Sequence, residues 1–149
     1  METAADRIVV GVDGSPVSTA ALRWAVDQAG RTGATVDAVS VWEVPATIFL
    51  SPTATEADYE DAAEHALADA LSGVDVADVA VHRHVVQGAP ATVLTGRAEG
   101  ARLLVIGTHG HGGLPGRHLG SVASYCVHHA PCSVPVSYTH LTLPTNREV

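Results

Sequence analysis

The 149-residue, 15.3 kDa chain is 46% hydrophobic and 16% charged, the balance of one globular domain with a full core and not of a disordered chain. Its formal charge of −8 sets 16 acids against 8 bases, all of them Arg, with no basic run, which argues against a nucleic-acid partner. No apolar run reaches the roughly 18–20 residues of a membrane span and no basic-then-apolar leader follows Met1, so a cytoplasmic location with no membrane contact is expected. Residues 7–12 (RIVVGV) form a short β-branched run ending at Asp13-Gly14-Ser15-Pro16, a buried strand followed by a turn. Ala21, Leu22, Ala25, Val26 and Ala29 then share one helical face, with Gly30 and Gly33 as the stop. A second strand spans 35–42 (TVDAVSVW), followed by a Pro- and Thr-containing loop over 43–56. A helix over about 57–71 turns Ala63, Ala66, Leu67, Ala70 and Leu71 inward; Glu56, Asp58, Glu60, Asp61, Glu64 and Asp69 read as its solvated face. The third strand covers about 79–86, and Pro90 opens a helix reaching 99. The fourth strand is 102–106 (RLLVI), a glycine-rich loop fills 107–120, a last helix covers 121–129, and 134–136 is a fifth strand stub.

Strands alternating with helices predict an α/β fold: an open, doubly wound parallel sheet with helices on both faces, Rossmann-like. Both chemically unusual loops, 13–16 and 107–120, follow strands, and ligands of open α/β sheets bind outside carboxyl strand ends where the strand order reverses. If the two loops share one site, strands one and four are neighbours and a five-stranded order 3-2-1-4-5 follows.

The second loop reads GTHGHGGLPGRHLGS from Gly107 to Ser121. Its glycines at 107, 110, 112, 113, 116 and 120 permit positive φ and close backbone approach, and successive free N–H groups suit an anion. Gly120-Ser121 opens a helix whose unpaired amides and dipole favour phosphate, with His109, His111, Arg117 and His118 adding to the field. No GK[ST] follows and Lys is absent, so this is not a Walker loop; GVDGSP has the wrong spacing for GxGxxG. At 14 residues, 107–120 is longer than most strand-to-helix connections, which points to function over a mere turn.

The spacing Gly107-x2-Gly110-x9-Gly120-Ser121 resembles the nucleotide-binding signature G-x2-G-x9-G-[ST] of the universal stress protein family. IVVGVDGS at the first strand, VIGTHG at the fourth and LGSVASYCVHHAPC beyond them resemble the family as well. The likeness covers about residues 6–136, and it identifies 1–136 as a universal stress protein domain of the ATP-binding subgroup. It implies the 3-2-1-4-5 sheet, a homodimer and bound ATP, alone or with Mg²⁺ held at Asp13. By position, Gly107, Gly110, Gly120 and Ser121 would hold phosphates and ribose. Asp13 would sit at the nucleotide, Val41 would meet adenine through its backbone, and Val122 would extend the helix-start contacts. Val12, Thr108 and His109 complete the implied cofactor-binding set. In the family the last strand pairs across the dimer; here Ser133, Pro135 and the residues after them interrupt it, which weakens the expectation of a dimer.

Other readings stay beside these. Asp13 before Gly-Ser-Pro caps the first helix, binds ligand, or does both. His128 and His129 belong to a helix end, where partial negative charge favours His, more readily than to a metal. Trp24 and Trp42 read as core residues, Trp42 at the pocket edge. Cys126 and Cys132 form no CxxC and read as buried thiols of a reducing compartment, a regulatory disulfide being the alternative. No GxSxG elbow or carboxylate pair marks a catalytic centre, so no enzyme is expected beyond weak ATP hydrolysis. The expected function is a nucleotide-dependent stress-response or regulatory protein. The alternatives are a dimeric interaction module that binds no nucleotide, or a weak ATPase.

Residues 137–149 (SYTHLTLPTNREV) depart from the rest. Residues 131–149 hold no Ala against 24 in the first 130, and Asn146 is the only Asn. The segment resembles translated adaptor DNA on a truncated reading frame, with a disordered tail as the alternative.

Overall fold

The computed structural model describes residues 6–108, 121–137 and 142–143. Strand β1 (Arg7–Gly11) is followed by α1 (Pro16–Thr32), β2 (Thr35–Trp42), α2 (Glu56–Ser72), β3 (Val81–Gln87) and α3 (Pro90–Arg97). Strand β4 (Leu103–Gly107), α4 (Ser121–His129), β5 (Val136–Ser137) and β6 (Thr142–Leu143) complete the fold. The sheet order is β3-β2-β1-β4-β5-β6, and the first five strands run parallel. The expected 3-2-1-4-5 order is therefore present, extended by the short antiparallel β6.

The alternation of side chains along each strand explains the two layers of helices. Ile8, Val10, Val36, Ala38 and Val105 point to one face, where they meet Leu22, Ala25 and Val26 of α1 and Leu67 of α2. Val9, Val39, Leu104 and Ile106 point to the other, against Leu94 of α3 and Ala123, Cys126 and Val127 of α4. Trp24 packs on the first of these cores. Each fully buried Val, Leu or Ile contributes on the order of 1.5–3 kcal/mol relative to exposure.

Helix boundaries follow local chemistry. Ser15 caps α1, its Oγ accepting the Ser18 N–H, and Pro16 sits in the first turn. Gly30 lies inside α1, and the helix ends at Gly33, whose φ of 79° is the left-handed C-cap that glycine favours. Thr55 N–H donates to the Asp58 carboxylate at 2.8 Å at the start of α2. Strand β3 begins two residues later than its apolar pattern suggests, because the Val79 N–H turns back to Val76 O and the pairing with β2 starts at Val81. The loop expected over 43–56 contains a 3₁₀ turn at Ile48–Leu50.

Pro135 shifts the fifth strand. Ser133 O, Pro135 O and Ser137 O accept the N–H groups of Leu104, Ile106 and Thr108 at 3.1, 3.2 and 2.9 Å. Pro135 has no N–H to return to β4, so regular pairing is confined to Val136–Ser137.

At the amino edge of the sheet, Arg7 joins three elements. Its guanidinium donates to Arg97 O (3.0 Å) and Glu99 O (2.6 Å) at the end of α3 and pairs with Asp37 of β2 at 3.4 Å. His84 Nε2 of β3 lies 3.5 Å from the other Asp37 oxygen without forming a hydrogen bond.

Candidate functional site

The parallel register brings three strand ends together. Val10 pairs with Val105 and Gly11 with Val39, and the Val12 N–H continues the ladder to Val39 O at 2.8 Å. Val12 and Asp13 thus leave β1 between the end of β2, with Val41, and the end of β4, with Gly107 and Thr108. Val12 and Thr108 are buried, Val41 and Gly107 half-buried, and Asp13 is exposed at the rim. Each helix runs back against its strands, so α1, α3 and α4 all begin at this carboxyl edge, α4 with Ser121 and Val122. His109, Gly110 and Gly120, together with His111, Gly112, Gly113, Gly116, Arg117 and His118, lie outside the described residues.

The turn after β1 is held by hydrogen bonds from within. Asp13 Oδ1 accepts the Ser15 N–H at 3.0 Å and the Ser15 hydroxyl at 2.6 Å. The Asp13 N–H donates to Ser18 Oγ at 3.1 Å, and Ser18 Oγ donates in turn to Ser15 O at 3.1 Å. Ser15 is therefore the cap of α1 and Asp13 is the residue that holds the cap, with its carboxylate on the rim. Gly14 has φ 87° in this turn, and a Cβ there would also stand 3.2 Å from the Ala66 Cβ.

Sequence reasoning missed one participant at this edge. The Gly88 N–H donates to Trp42 O at 2.9 Å, which places the Gly88-Ala89-Pro90 turn and the first turn of α3 beside the end of β2. The signal was Gly88-Ala89-Pro90, read as a turn into a helix and not as part of the site.

The electrostatics of the edge suit an anion. The first turns of α1, α3 and α4 contain no acidic residue, so their N-terminal partial charges are not offset from within. Helix α2 differs, with Glu56 and Asp58 in its first turn. At α1 Ser15 Oγ already takes the Ser18 N–H and the Asp13 carboxylate stands beside the cap, so it is the first turns of α3 and α4 that suit phosphate oxygens, with the Ser121 hydroxyl as a further donor.

Residues at other places in the fold bear on the remaining readings. His128 and His129 set their Nδ1 atoms 2.7 and 3.0 Å from the Ser124 and Tyr125 carbonyls, so both rings serve the end of α4; Tyr125 and His129 stack at 4.1 Å. Among the described residues no group of three or more His, Cys, Asp or Glu could hold a metal, and no helix is long and apolar enough to cross a membrane. Cys126 and Cys132 are both free thiols. Burial, and then the neighbouring Cys132, push the Cys126 thiol up to about 12; burial also raises Cys132, against a lowering by Arg7. A cavity of about 410 Å³ between α1 and the α2–β3 connection, bordered by Arg23, Asp27, Arg31 and Asp75, lies at the opposite end of the sheet from this site.

Comparison with known proteins agrees with this architecture. The model of the universal stress protein family matches residues 4–137. The universal stress protein Rv2005c of Mycobacterium tuberculosis is 39% identical over 132 residues, 87% of this chain and 44% of the relative. The chain thus spans less than half the length of that relative. UspA from Lactobacillus plantarum superposes with a TM-score of 0.66 at 26% identity, covering 91% of this chain and 99% of its own. A universal stress protein solved in complex with cAMP superposes at 0.63 with 25% identity, covering 90% of this chain and 97% of its own. With the family model spanning nearly the whole domain and the same sheet order in place, the chain belongs to the universal stress protein family.

Proposed function

We propose that the chain binds ATP at the carboxyl edge of its sheet and works as a nucleotide-dependent stress-response or regulatory protein of the cytoplasm. One observation carries this reading. Val12 and Asp13, Val41, and Gly107 and Thr108 arrive at one edge from three adjacent strands, where three helices begin without acidic residues in their first turns. The residues present fit a nucleotide. In this reading Gly107 and Ser121, with Gly110 and Gly120 from outside the described residues, would hold phosphates and ribose, Val41 would meet adenine through its backbone, and Val12, Thr108 and Val122, with His109 also from outside them, would complete the set. The cAMP complex of a structural neighbour supports an adenine nucleotide as the ligand class.

Occupancy, not turnover, is the proposed output. Hydrolysis needs a positioned water and stabilisation of developing charge. Asp13 Oδ1 accepts the Ser15 N–H and hydroxyl, which fixes the carboxylate in the turn as the place proposed for Mg²⁺ bound with the nucleotide. A ligand bound only by the folded state adds RT ln(1+[L]/Kd) to stability, about 2.7 kcal/mol at a hundredfold excess over Kd.

Denaturing the purified chain and identifying released molecules by mass spectrometry tests the reading. Released ATP or ADP, or a raised melting temperature with added Mg-ATP, supports it. An empty protein with no such shift instead supports an interaction module, which the exposed Phe49 (78%) and Leu50 (68%) in the connection between β2 and α2 favour as the second reading.

A further inference from the structure

Strand β3 is the outermost strand on its side of the sheet, paired with β2 and with no other strand among the described residues. The pairing is regular over seven residues, Val81–Gln87 against residues 36–42, with neither Pro nor a bulge to interrupt it. The Val36 N–H donates to Ala80 O and the Gly88 N–H to Trp42 O, both at 2.9 Å, so residues 80, 82, 84, 86 and 88 turn their backbone groups to β2. Alternation then turns the N–H and C=O of Val81, Arg83, Val85 and Gln87 outward, a row that faces no strand among the described residues. Edges are commonly blunted by shortness, Pro, a bulge or charge, and of these only charge is present here. That charge has one sign. His82-Arg83-His84 is the only run of three basic residues in the sequence, and VHRHVVQ contains no acid. His82 and Arg83 are exposed, and among the described residues Arg83 has no ion-pair partner.

We propose that β3 is a docking edge for an extended acidic segment of a partner protein, which adds to the sheet as a further strand. The outward row supplies the main-chain hydrogen bonds of such an addition, and the side chains select the partner. Arg83 projects on the face of Val81 and Val85, and His82 on the opposite face, so carboxylates of the added strand meet a guanidinium on one side and an imidazole on the other. A second copy of β3 fits less well, because an antiparallel pair centred on the basic run sets like side chains against one another.

A short acetylated peptide of alternating Val and Glu, carrying a fluorophore, tests this on the full chain. Fluorescence anisotropy is expected to show binding, and the matching peptide of Val and Lys to show none. Amide hydrogen exchange locates the peptide: the Arg83 and Val85 amides should exchange fast in the free chain and slowly in the complex, while those of His84 and Val86, already bonded to β2, change little. Arg83→Glu should weaken binding by about tenfold or more, and Arg83→Gln by less. Arg83 and Val85 amides that are protected in the free chain, or that stay unprotected with the peptide, overturn the proposal. Equal binding of the Val–Lys peptide, or unchanged binding to Arg83→Glu, overturns it as well. Should Arg83→Glu melt below the parent, Arg83→Gln and the two peptides on the parent decide.

Discussion

Ser15 Oγ donates to Asp13 Oδ1 at 2.6 Å while accepting the Ser18 N–H at 3.2 Å, so one hydroxyl both caps α1 and fixes the carboxylate at the rim of the proposed site. Removing it separates the two roles. Ser15→Ala is expected to lower stability by about 1 kcal/mol, the usual cost of a lost N-cap, and to lower ATP affinity as Asp13 loosens. Urea denaturation and calorimetric titration read these out; unchanged affinity would detach Asp13 from the nucleotide.

The turn joining β3 to α3 depends on glycine. Gly88 has φ 149°, and a Cβ there would lie 2.8 Å from Val93 Cγ2, so an added methyl group meets both strain and a collision. Gly88→Ala is expected to cost about 1–3 kcal/mol in urea denaturation. Gly96→Ala, where nothing lies within 4 Å of the added carbon, is expected to be neutral or slightly stabilising.

Arg7 is a cross-element tie with two half-buried ends, its side chain 24% exposed and that of Asp37 16%. Arg7→Met keeps the apolar stem but leaves the Arg97 and Glu99 carbonyls and the Asp37 carboxylate without the guanidinium. A loss of about 1.5–3 kcal/mol is expected. Asp37→Asn should cost less in the Arg7→Met background than in the parent, the signature of coupled residues; equal costs would show that the pair does not interact.

The alternation of strands and helices was legible because each element carries its own period and punctuation. RIVVGV, TVDAVSVW and RLLVI are apolar β-branched or aliphatic runs, and Pro16, Gly33 and Pro90 stand at helix ends. The strand order was legible only through the assumption that the Asp13 and Gly107 loops share an edge, which the β1–β4 pairing supports. What remained hidden depends on register. The Arg7–Asp37–His84 row spans three strands and appears only once β2 lies between β1 and β3. Ser15, not Asp13, proved to be the helix cap, a choice that rests on φ and ψ and not on residue type. The apolar Ile48–Leu50 turn had no period to announce it, and residues 142–143, which pair with β5, lie in a segment read as foreign to the domain.

Cys126 supplies a pH dependence of defined sign. Its thiol is held at about 12 against an ordinary value of 9.0, chiefly by burial, so the folded state keeps the proton longer than the unfolded one. Stability is fully retained below pH 9 and is lost as pH rises from there toward 12, by at most about 1.4 kcal/mol per unit for this group. Urea denaturation at pH 8 and pH 10 should therefore show a smaller loss in Cys126→Ala than in the parent. The native thiol should also resist alkylation at neutral pH. An equal loss in both proteins would remove Cys126 from the account.

Calorimetric titration of the full chain with ATP and Mg²⁺, beside Gly107→Ala, tests the central claim most directly. The account predicts one nucleotide per chain in the parent, and loss of that binding in a Gly107→Ala variant that melts as the parent does. Absence of binding heat in the parent, with no shift in its melting temperature, or unchanged affinity in Gly107→Ala, would contradict a nucleotide site at the end of β4.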